Sequence, residues 1–238
     1  GDNARRIAML PLVHQPGARF TYSLSTDVLG RVIEVAGGMP FDRFLEQHIF
    51  QPLGMHDTFF WVPDAKTARI ATPYLSDSTG ALTLMGNLIA REGTMVMGGK
   101  GSRGSRVFFS GGAGLFGTAG DYARFLQMLL NGGQLDGARI LGPKTVALLT
   151  ATNQLGDLAN KTIDAGVGFS LGFSLVLEPG LTGSPVSAGT FAWAGAYGTS
   201  FWVDPKERLV MVLMQQNPRL DSRVSRRFLN LVYQAVLK

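Results

Sequence analysis

The sequence predicts an α+β fold, in which helices come first and an antiparallel sheet with a terminal helix follows. Two observations carry this prediction. Apolar residues recur at helical spacing through much of the first part of the chain, whereas short β-rich runs separated by Gly, Pro or Asp follow Gly166. We therefore expect a mainly helical region at residues 1–165, and antiparallel strands with a final helix at residues 166–238.

Four helices are predicted in the first region, each from residues that favour a helix end. Ser25 is expected to cap the first helix, which Gly37-Gly38 ends, and Pro40 is expected to open the second. Thr118 is expected to cap a third helix and Pro143 to open a fourth.

The second region contains four β-rich runs, a hairpin loop and an amphipathic helix. Alternating Phe169, Leu171, Phe173 and Leu175 are expected to form one buried face of a strand. The runs are Val167–Leu177, Thr190–Ala194, Thr199–Val203 and Leu209–Met214, the loop is Asp204-Pro205-Lys206-Glu207, and the helix is Arg219–Leu237 with Val224, Phe228, Leu231, Val232 and Val236 on its apolar face.

Composition excludes several classes of protein. Hydrophobic residues make up 45% and charged residues 16%, which is ordinary for a globular chain. Without cysteine there are no disulfides and no thiolate metal sites. No apolar run is long enough to span a bilayer, so no membrane span is expected. The net charge is +5, and the cluster Arg219, Arg223, Arg226 and Arg227 favours a solvated helix face over a nucleic-acid site.

Two familiar motifs and the histidines are interpreted as structural. Gly112–Gly117 matches a dinucleotide fingerprint, but the nearest acidic residue, Asp136, lies in a turn and not behind a strand. Gly168–Gly172 matches a nucleophile elbow, but a strand follows Ser170 and every histidine precedes it. His14, His48 and His56 lack metal-ligand spacing, so each is expected to be a structural hydrogen-bonding residue. Neither a cofactor nor a metal is expected.

Several separated segments, in order, carry a resemblance to a known family. The segments are Pro16–Ser23 with Asp27–Gly30, Phe50–Met55, Ser110–Leu115 continuing through Asp121–Phe125, and Trp193-Ala194-Gly195 with Phe201–Pro205. They look like the motifs of class C β-lactamases and family VIII carboxylesterases. The resemblance runs from about Leu10 to the C-terminus and implies the C-terminal part of a β-lactamase/transpeptidase-like fold.

The resemblance also implies which residues build the site. Tyr22 matches the tyrosine that transfers a proton, and Trp193-Ala194-Gly195 matches the strand motif on the opposite wall, expected on an edge strand. The backbone N–H of Ala196 would be one of two oxyanion donors. The family's nucleophile and lysine form a Ser-x-x-Lys pair on one helix, and no serine of this sequence has a lysine three residues later. The chain is therefore expected to start after that helix.

The motif variants bear on the substrate. The β-lactamase pattern has a Lys-Thr-Gly lysine where this chain has Trp193, and an amide where it has Leu24. A lysine would bind the carboxylate of a β-lactam through a charge-assisted hydrogen bond of about 1.5–3 kcal/mol, which an indole cannot replace. A neutral, apolar cleft favours acyl esters.

Three functions follow as hypotheses. The first is a serine carboxylesterase that hydrolyses short-chain esters through an acyl-enzyme, with the nucleophile supplied by an N-terminal fragment of the same protein or by an exchanged segment. The second is a β-lactamase or penicillin-binding-protein-like hydrolase, and the third is an inactive fragment acting as a binding module. This chain alone is expected to be inactive, and the cytoplasm is favoured over the periplasm.

Overall fold

The computed structural model describes residues 2–86, 101–156, 158, 163–218 and 222–236. Helices and short hairpins precede a five-stranded sheet, as the α+β prediction requires. The helices are α1 (Asp2–Ala8), α2 (Ser25–Gly37), α3 (Phe41–Leu45) continued by a π-helix (Glu46–Phe50), a 3₁₀-helix (Asp64–Arg69), α4 (Ala119–Leu130), α5 (Pro143–Thr150), α6 (Pro179–Thr182) and α7 (Ser222–Gln234). The strands are β1 (Tyr74–Ser76), β2 (Leu82–Leu84), β3 (Gln134–Leu135), β4 (Ala138–Arg139), β5 (Val167–Phe169), β6 (Ser174–Val176), β7 (Phe191–Ala194), β8 (Ser200–Asp204) and β9 (Leu209–Leu213).

The end signals predict most of the helices correctly. The Thr118 hydroxyl accepts a hydrogen bond of 3.2 Å from the Asp121 N–H at the start of α4, and Pro143 is the first residue of α5. At α2 the predicted cap is wrong, because Leu24 occupies the N-cap position without a side-chain hydrogen bond and Ser25 is already helical. Pro40, predicted to open α3, occupies the N-cap position one residue before its start and makes no side-chain hydrogen bond there.

The sheet is an antiparallel meander in the order β5-β6-β7-β8-β9. The predicted hairpin loop joins β8 to β9. The expected edge position of Trp193 is wrong, since β7 is the central strand. However, β6 pairs only with Phe191 and Ala192, so Trp193 and Ala194 extend beyond the end of their neighbour. Because β6 is short, the end of β7 at Trp193 and Ala194 has no paired strand on that side.

The run Val167–Leu177 is two strands rather than one. β5 and β6 form a hairpin in which Phe169 pairs with Ser174, and Leu171 lies in the connecting turn with 47% of its surface exposed. The predicted single buried face is therefore wrong, although Phe173 and Leu175 are buried. The alternation of apolar residues has the same period on both sides of a tight turn, so the pattern alone conceals the turn.

The two faces of the sheet contact different layers. On β8, Phe201 and Val203 pack against the helical region, where Leu53 and Leu126 of α4 belong to the same buried cluster. Trp202, between them in sequence, points to the other face and packs in the cluster of α7. The period of two along a strand thus places the sheet between the helical region and α7.

The apolar face predicted for the terminal helix is partly wrong. Leu229 is 4% exposed, and Phe228, Val232 and Tyr233 pack beside it, whereas Leu231 and Val224 are 54% and 42% exposed. Apolar residues cover more than one side of this helix, so their spacing does not reveal which side faces the sheet. No helix of the described residues is long and apolar enough to cross a bilayer.

Asp204, at the end of β8, joins the sheet to α7. Its buried carboxylate accepts a 2.6 Å hydrogen bond from the Tyr233 hydroxyl and a 3.2 Å bond from the Ser187 N–H. The N–H groups of Lys206 and Glu207 donate to its other oxygen at 3.0 and 3.1 Å. Burial by itself raises the pKa of Asp204, but the hydrogen bonds from these donors outweigh burial and the net pKa is lowered.

Replacing Asp204 by asparagine is expected to lower the free energy of unfolding by about 2–3 kcal/mol, because an amide group presents a donor where the carboxylate accepts one. The folded-state pKa lies below the unfolded value, so this stabilisation is present above about pH 4 and is lost as the pH falls through the lower folded value. Urea denaturation at several pH values measures both effects. Asp136→Asn is the control, since Asp136 is exposed and ion-paired with Arg124 at the surface. Equal losses in the two variants would contradict this role.

Candidate active site

The tyrosine of the predicted site lies on an exposed loop. Tyr22 is 59% exposed and stands three residues before α2 begins. The loop is braced by His14, whose Nε2 lies 2.8 Å from the Thr21 hydroxyl and whose Nδ1 lies 3.0 Å from the Gln15 carbonyl. This is the structural hydrogen-bonding role that the sequence predicts for His14. Leu24 follows Tyr22 at the N-cap of α2 with its side chain 44% exposed.

The opposite wall is formed by the end of β7 and the turn after it. The Gly195 N–H donates to the Thr199 carbonyl at 2.8 Å, and the Gly198 N–H donates to the Gly195 carbonyl at 3.0 Å. A Cβ atom on Gly195 would lie 2.1 Å from Oγ1 of Thr199, so a side chain there would require the Thr199 hydroxyl to move. Ala196 is exposed, and none of the described residues accepts a hydrogen bond from its N–H. That N–H is therefore free to bind an oxyanion.

The two walls meet at their aromatic rings. The ring centroids of Tyr22 and Trp193 are 5.3 Å apart, with an angle of 47° between the ring planes. Trp193 also meets Phe169 in an edge-to-face arrangement, with the ring centroids 5.1 Å apart and an angle of 75° between the ring planes. The structure thus brings Tyr22 and Trp193 together although they are distant in sequence, and Leu24, Gly195 and Ala196 lie close to them in the chain.

Phe169 and Phe20 are site neighbours that the sequence does not reveal. Their ring centroids lie 4.6 Å apart, so Phe20, Phe169, Trp193 and Tyr22 form a continuous row of rings. Phe169 sits inside the Gly168–Gly172 motif, which was interpreted as part of a strand. Only the β5–β6 hairpin, which turns the end of β5 towards β7, brings it to the site.

The other serine and glycine motifs do not form sites. Ser170 is 2% exposed, and its hydroxyl donates to the Phe173 carbonyl at 3.1 Å within the hairpin turn, so the rejection of a nucleophile elbow is confirmed. In the glycine-rich loop the Ser110 hydroxyl donates to Asp27 at 2.6 Å, and a Cβ on Gly111 would lie 2.2 Å from the Thr26 carbonyl. This loop therefore packs against the start of α2. The described residues contain no group of His, Cys, Asp or Glu that could hold a metal.

A second tyrosine lies in the turn after Trp193. Burial raises the pKa of the Tyr197 hydroxyl, which disfavours its ionised form. The Tyr197 carbonyl accepts a 2.8 Å hydrogen bond from the Asn217 N–H, and the Gln215 side chain donates to the Gly198 carbonyl at 2.9 Å. These bonds fix the turn to the segment after β9.

Comparison with known proteins identifies the family. A family model described as Beta-lactamase matches residues 1–235. The chain belongs to the β-lactamase family. It is 36% identical over 225 residues to Protein Rv1367c of Mycobacterium tuberculosis, and 34% identical over 225 residues to Esterase EstB of Burkholderia gladioli. Each alignment covers 90% of this chain and 53% of the relative.

A solved structure supports the same placement. The hydrolase EstCE1, described as having promiscuous acyltransferase activity, is 28% identical, with a TM-score of 0.81 over 96% of this chain and 60% of that one. The chain thus has the β-lactamase/transpeptidase-like fold of a serine hydrolase family, and it spans about half the length of the curated relatives it matches.

Proposed function

We propose that the protein is a serine carboxylesterase that hydrolyses short-chain esters through an acyl-enzyme. The observation that carries this proposal is the neutral indole of Trp193 in ring contact with Tyr22, at the position where the β-lactamase pattern has a lysine. A Ser-x-x-Lys segment, which these 238 residues do not contain, would supply the nucleophile and its lysine.

The chemistry assigns a distinct task to each wall. The serine hydroxyl attacks the ester carbonyl carbon, and Tyr22 passes the serine proton to the departing alcohol oxygen as the ester C–O bond breaks. Water then attacks the acyl-serine ester, which releases the acid and restores the serine hydroxyl. In both steps the Ala196 N–H donates to the oxyanion, together with the N–H of the nucleophilic serine.

Any tyrosine that works as a base at neutral pH needs a positive charge nearby, since the phenol of a free tyrosine titrates near pH 10. Among the described residues, the ring neighbours of Trp193 are Tyr22 and Phe169, and both are uncharged. The lysine of the Ser-x-x-Lys segment is therefore the group that fits this requirement. This is a further reason to expect that the chain without that segment is inactive.

The apolar wall favours an ester over a β-lactam. Trp193, Phe169 and Leu24 present apolar surface and no cation, whereas a β-lactam carries a carboxylate that must keep a charged partner when water is displaced. An acyl ester has no such charge. Only the lactam would therefore bind with an unpaired carboxylate, which weakens its binding relative to that of an ester.

The substrate preference is testable on the complete protein. We expect kcat/KM for nitrophenyl butyrate to exceed that for a chromogenic cephalosporin by about 10- to 150-fold, which corresponds to the roughly 1.5–3 kcal/mol of a lost charge-assisted bond. Stopped-flow absorbance with both substrates measures the ratio. Faster turnover of the cephalosporin would establish the β-lactamase alternative, and turnover of neither would favour the binding module.

We also propose that an N-terminal fragment of the same protein, or an exchanged segment, covers an apolar surface around α2. On α2 itself Leu29 and Val32 are each 54% exposed and Val35 is 67% exposed. Before α2, Leu12 and Val13 are 71% and 87% exposed. Large apolar side chains exposed in such numbers are typical of a surface that a partner covers. Tyr22 lies between these two groups in the chain, so one segment could cover the surface and reach the site.

A further inference from the structure

The side chain of Phe169 takes no part in the proposed proton transfer, but it contacts Trp193, against which the Tyr22 ring rests. Its ring meets Trp193 at 5.1 Å in an edge-on arrangement and meets Phe20 at 4.6 Å. Phe20 and Tyr22 belong to the same loop, two residues apart. The row of rings therefore begins and ends on the tyrosine loop, with Phe169 and Trp193 between its two ends.

The backbone of Phe169 is fixed from outside the site. Its N–H donates to Oδ1 of Asn153 at 3.1 Å, and its carbonyl accepts from the Gln154 N–H at 2.7 Å. Asn153 is itself tied to the chain, since the same oxygen accepts from the Leu155 N–H at 3.3 Å. A Cβ on Gly168 would lie 2.5 Å from that oxygen, so β5 approaches Asn153 as closely as a glycine permits. These contacts hold the Phe169 backbone in place, and the contacts with Phe20 and Trp193 then define the position of its ring.

The tyrosine loop is anchored at Thr21 by His14, at 2.8 Å, but the Tyr22 side chain itself makes no hydrogen bond to any described residue. Tyr22 and Leu24 are exposed, and within the described residues the one ring contact of Tyr22 is that with Trp193. The position of the Tyr22 ring therefore depends on the orientation of the Trp193 indole. An indole without Phe169 at its edge can rotate about χ1 and χ2, and Tyr22 would lose the surface against which it rests.

We propose that Phe169 is a positioning residue, which holds the Trp193 indole in the orientation that places Tyr22 for proton transfer. This inference rests on the proposed esterase function for its kinetic consequence, but not for its structural one. Edge-to-face contacts are worth about 0.5–1.5 kcal/mol beyond the buried area, so loss of this contact should slow proton transfer by about 2- to 12-fold.

The experiment compares Phe169→Leu, Phe169→Tyr and the wild type of the complete protein, labelled with 5-fluorotryptophan. The chain has Trp61, Trp193 and Trp202, and Trp193→Phe assigns the Trp193 resonance in the ¹⁹F spectrum. Phe169→Leu is expected to shift or broaden that resonance and to lower kcat for nitrophenyl butyrate by about 2- to 12-fold with KM within about twofold. Phe169→Tyr keeps the ring and should restore both readouts.

Phe44→Leu is the matched control, because Phe44 is also half-buried and its ring partner is His48. An unchanged Trp193 resonance in Phe169→Leu, or an equal change in Phe44→Leu, would overturn the positioning role. So would an altered resonance without a fall in kcat in an active enzyme. If the resonance moves as expected but the wild type hydrolyses no ester, the esterase proposal fails and the structural role of Phe169 stands.

Discussion

Replacing Tyr22 by phenylalanine in the complete protein is expected to lower kcat/KM for a short-chain ester by about 10²- to 10⁴-fold. That range is typical of a lost general acid–base group. The variant removes one oxygen atom and keeps the ring that contacts Trp193 at 5.3 Å, so the wall of the site remains in place. The loss should therefore fall on kcat, and KM should change by less than about threefold. Steady-state kinetics with nitrophenyl butyrate separates the two parameters.

Tyr74→Phe provides the matched control for this substitution. Tyr74 is also a partly exposed tyrosine, at 40%, but it lies on β1 and its N–H bonds to the Gln216 carbonyl. Its variant should retain wild-type activity. Tyr197 is the competing phenol because it lies in the turn after Trp193, although burial raises the pKa of its hydroxyl and so disfavours the phenolate at neutral pH. If Tyr197→Phe abolished activity and Tyr22→Phe did not, the assignment of the proton-transfer residue would be wrong.

Local signals in the sequence predict the elements of this fold well. Thr118 and Pro143 mark helix starts correctly because capping and the fixed φ of proline act within one turn of chain. What the sequence does not reveal is the pairing of elements. The central position of β7 and the exposed Leu231 depend on contacts with distant segments, and the β5–β6 turn at Leu171 is concealed because apolar residues alternate on both sides of it. A periodic pattern contains no information about those partners.

The candidate site shows the same division between local and distant signals. Motif resemblance pointed to Tyr22 and Trp193, and the structure brings their rings into contact. Phe169 belongs to no motif of the site, and its ring lies near Trp193 because Phe169 pairs with Ser174 of β6, which pairs with Ala192 of β7. A sequence pattern identifies residues that do chemistry, whereas residues that position them are found only from contacts.

The second large effect concerns the chain without a Ser-x-x-Lys segment. We expect this chain alone to give no labelling by a fluorophosphonate probe and no ester hydrolysis above the buffer rate. No serine in it has a lysine three residues later. Ser170, which lies in an elbow-like motif, is buried and donates its hydroxyl hydrogen to a carbonyl. Gel fluorescence after probe treatment tests this directly, and strong labelling of the isolated chain would contradict the proposal.

Co-expression with the Ser-x-x-Lys segment of the complete protein should restore labelling, on the serine of that segment and not on this chain.

The exposed side chains of α2 predict how the two pieces associate. Val32→Glu should weaken their association by about 10- to 100-fold, because burying a valine contributes about 1.5–3 kcal/mol. Leu148→Glu is the control, since Leu148 is 49% exposed on α5 and outside this surface. Titration of labelling against segment concentration gives both affinities. Equal weakening by the two variants would show that the segment does not bind at α2, whereas a loss confined to Val32→Glu would link the apolar surface of α2 to assembly of the site.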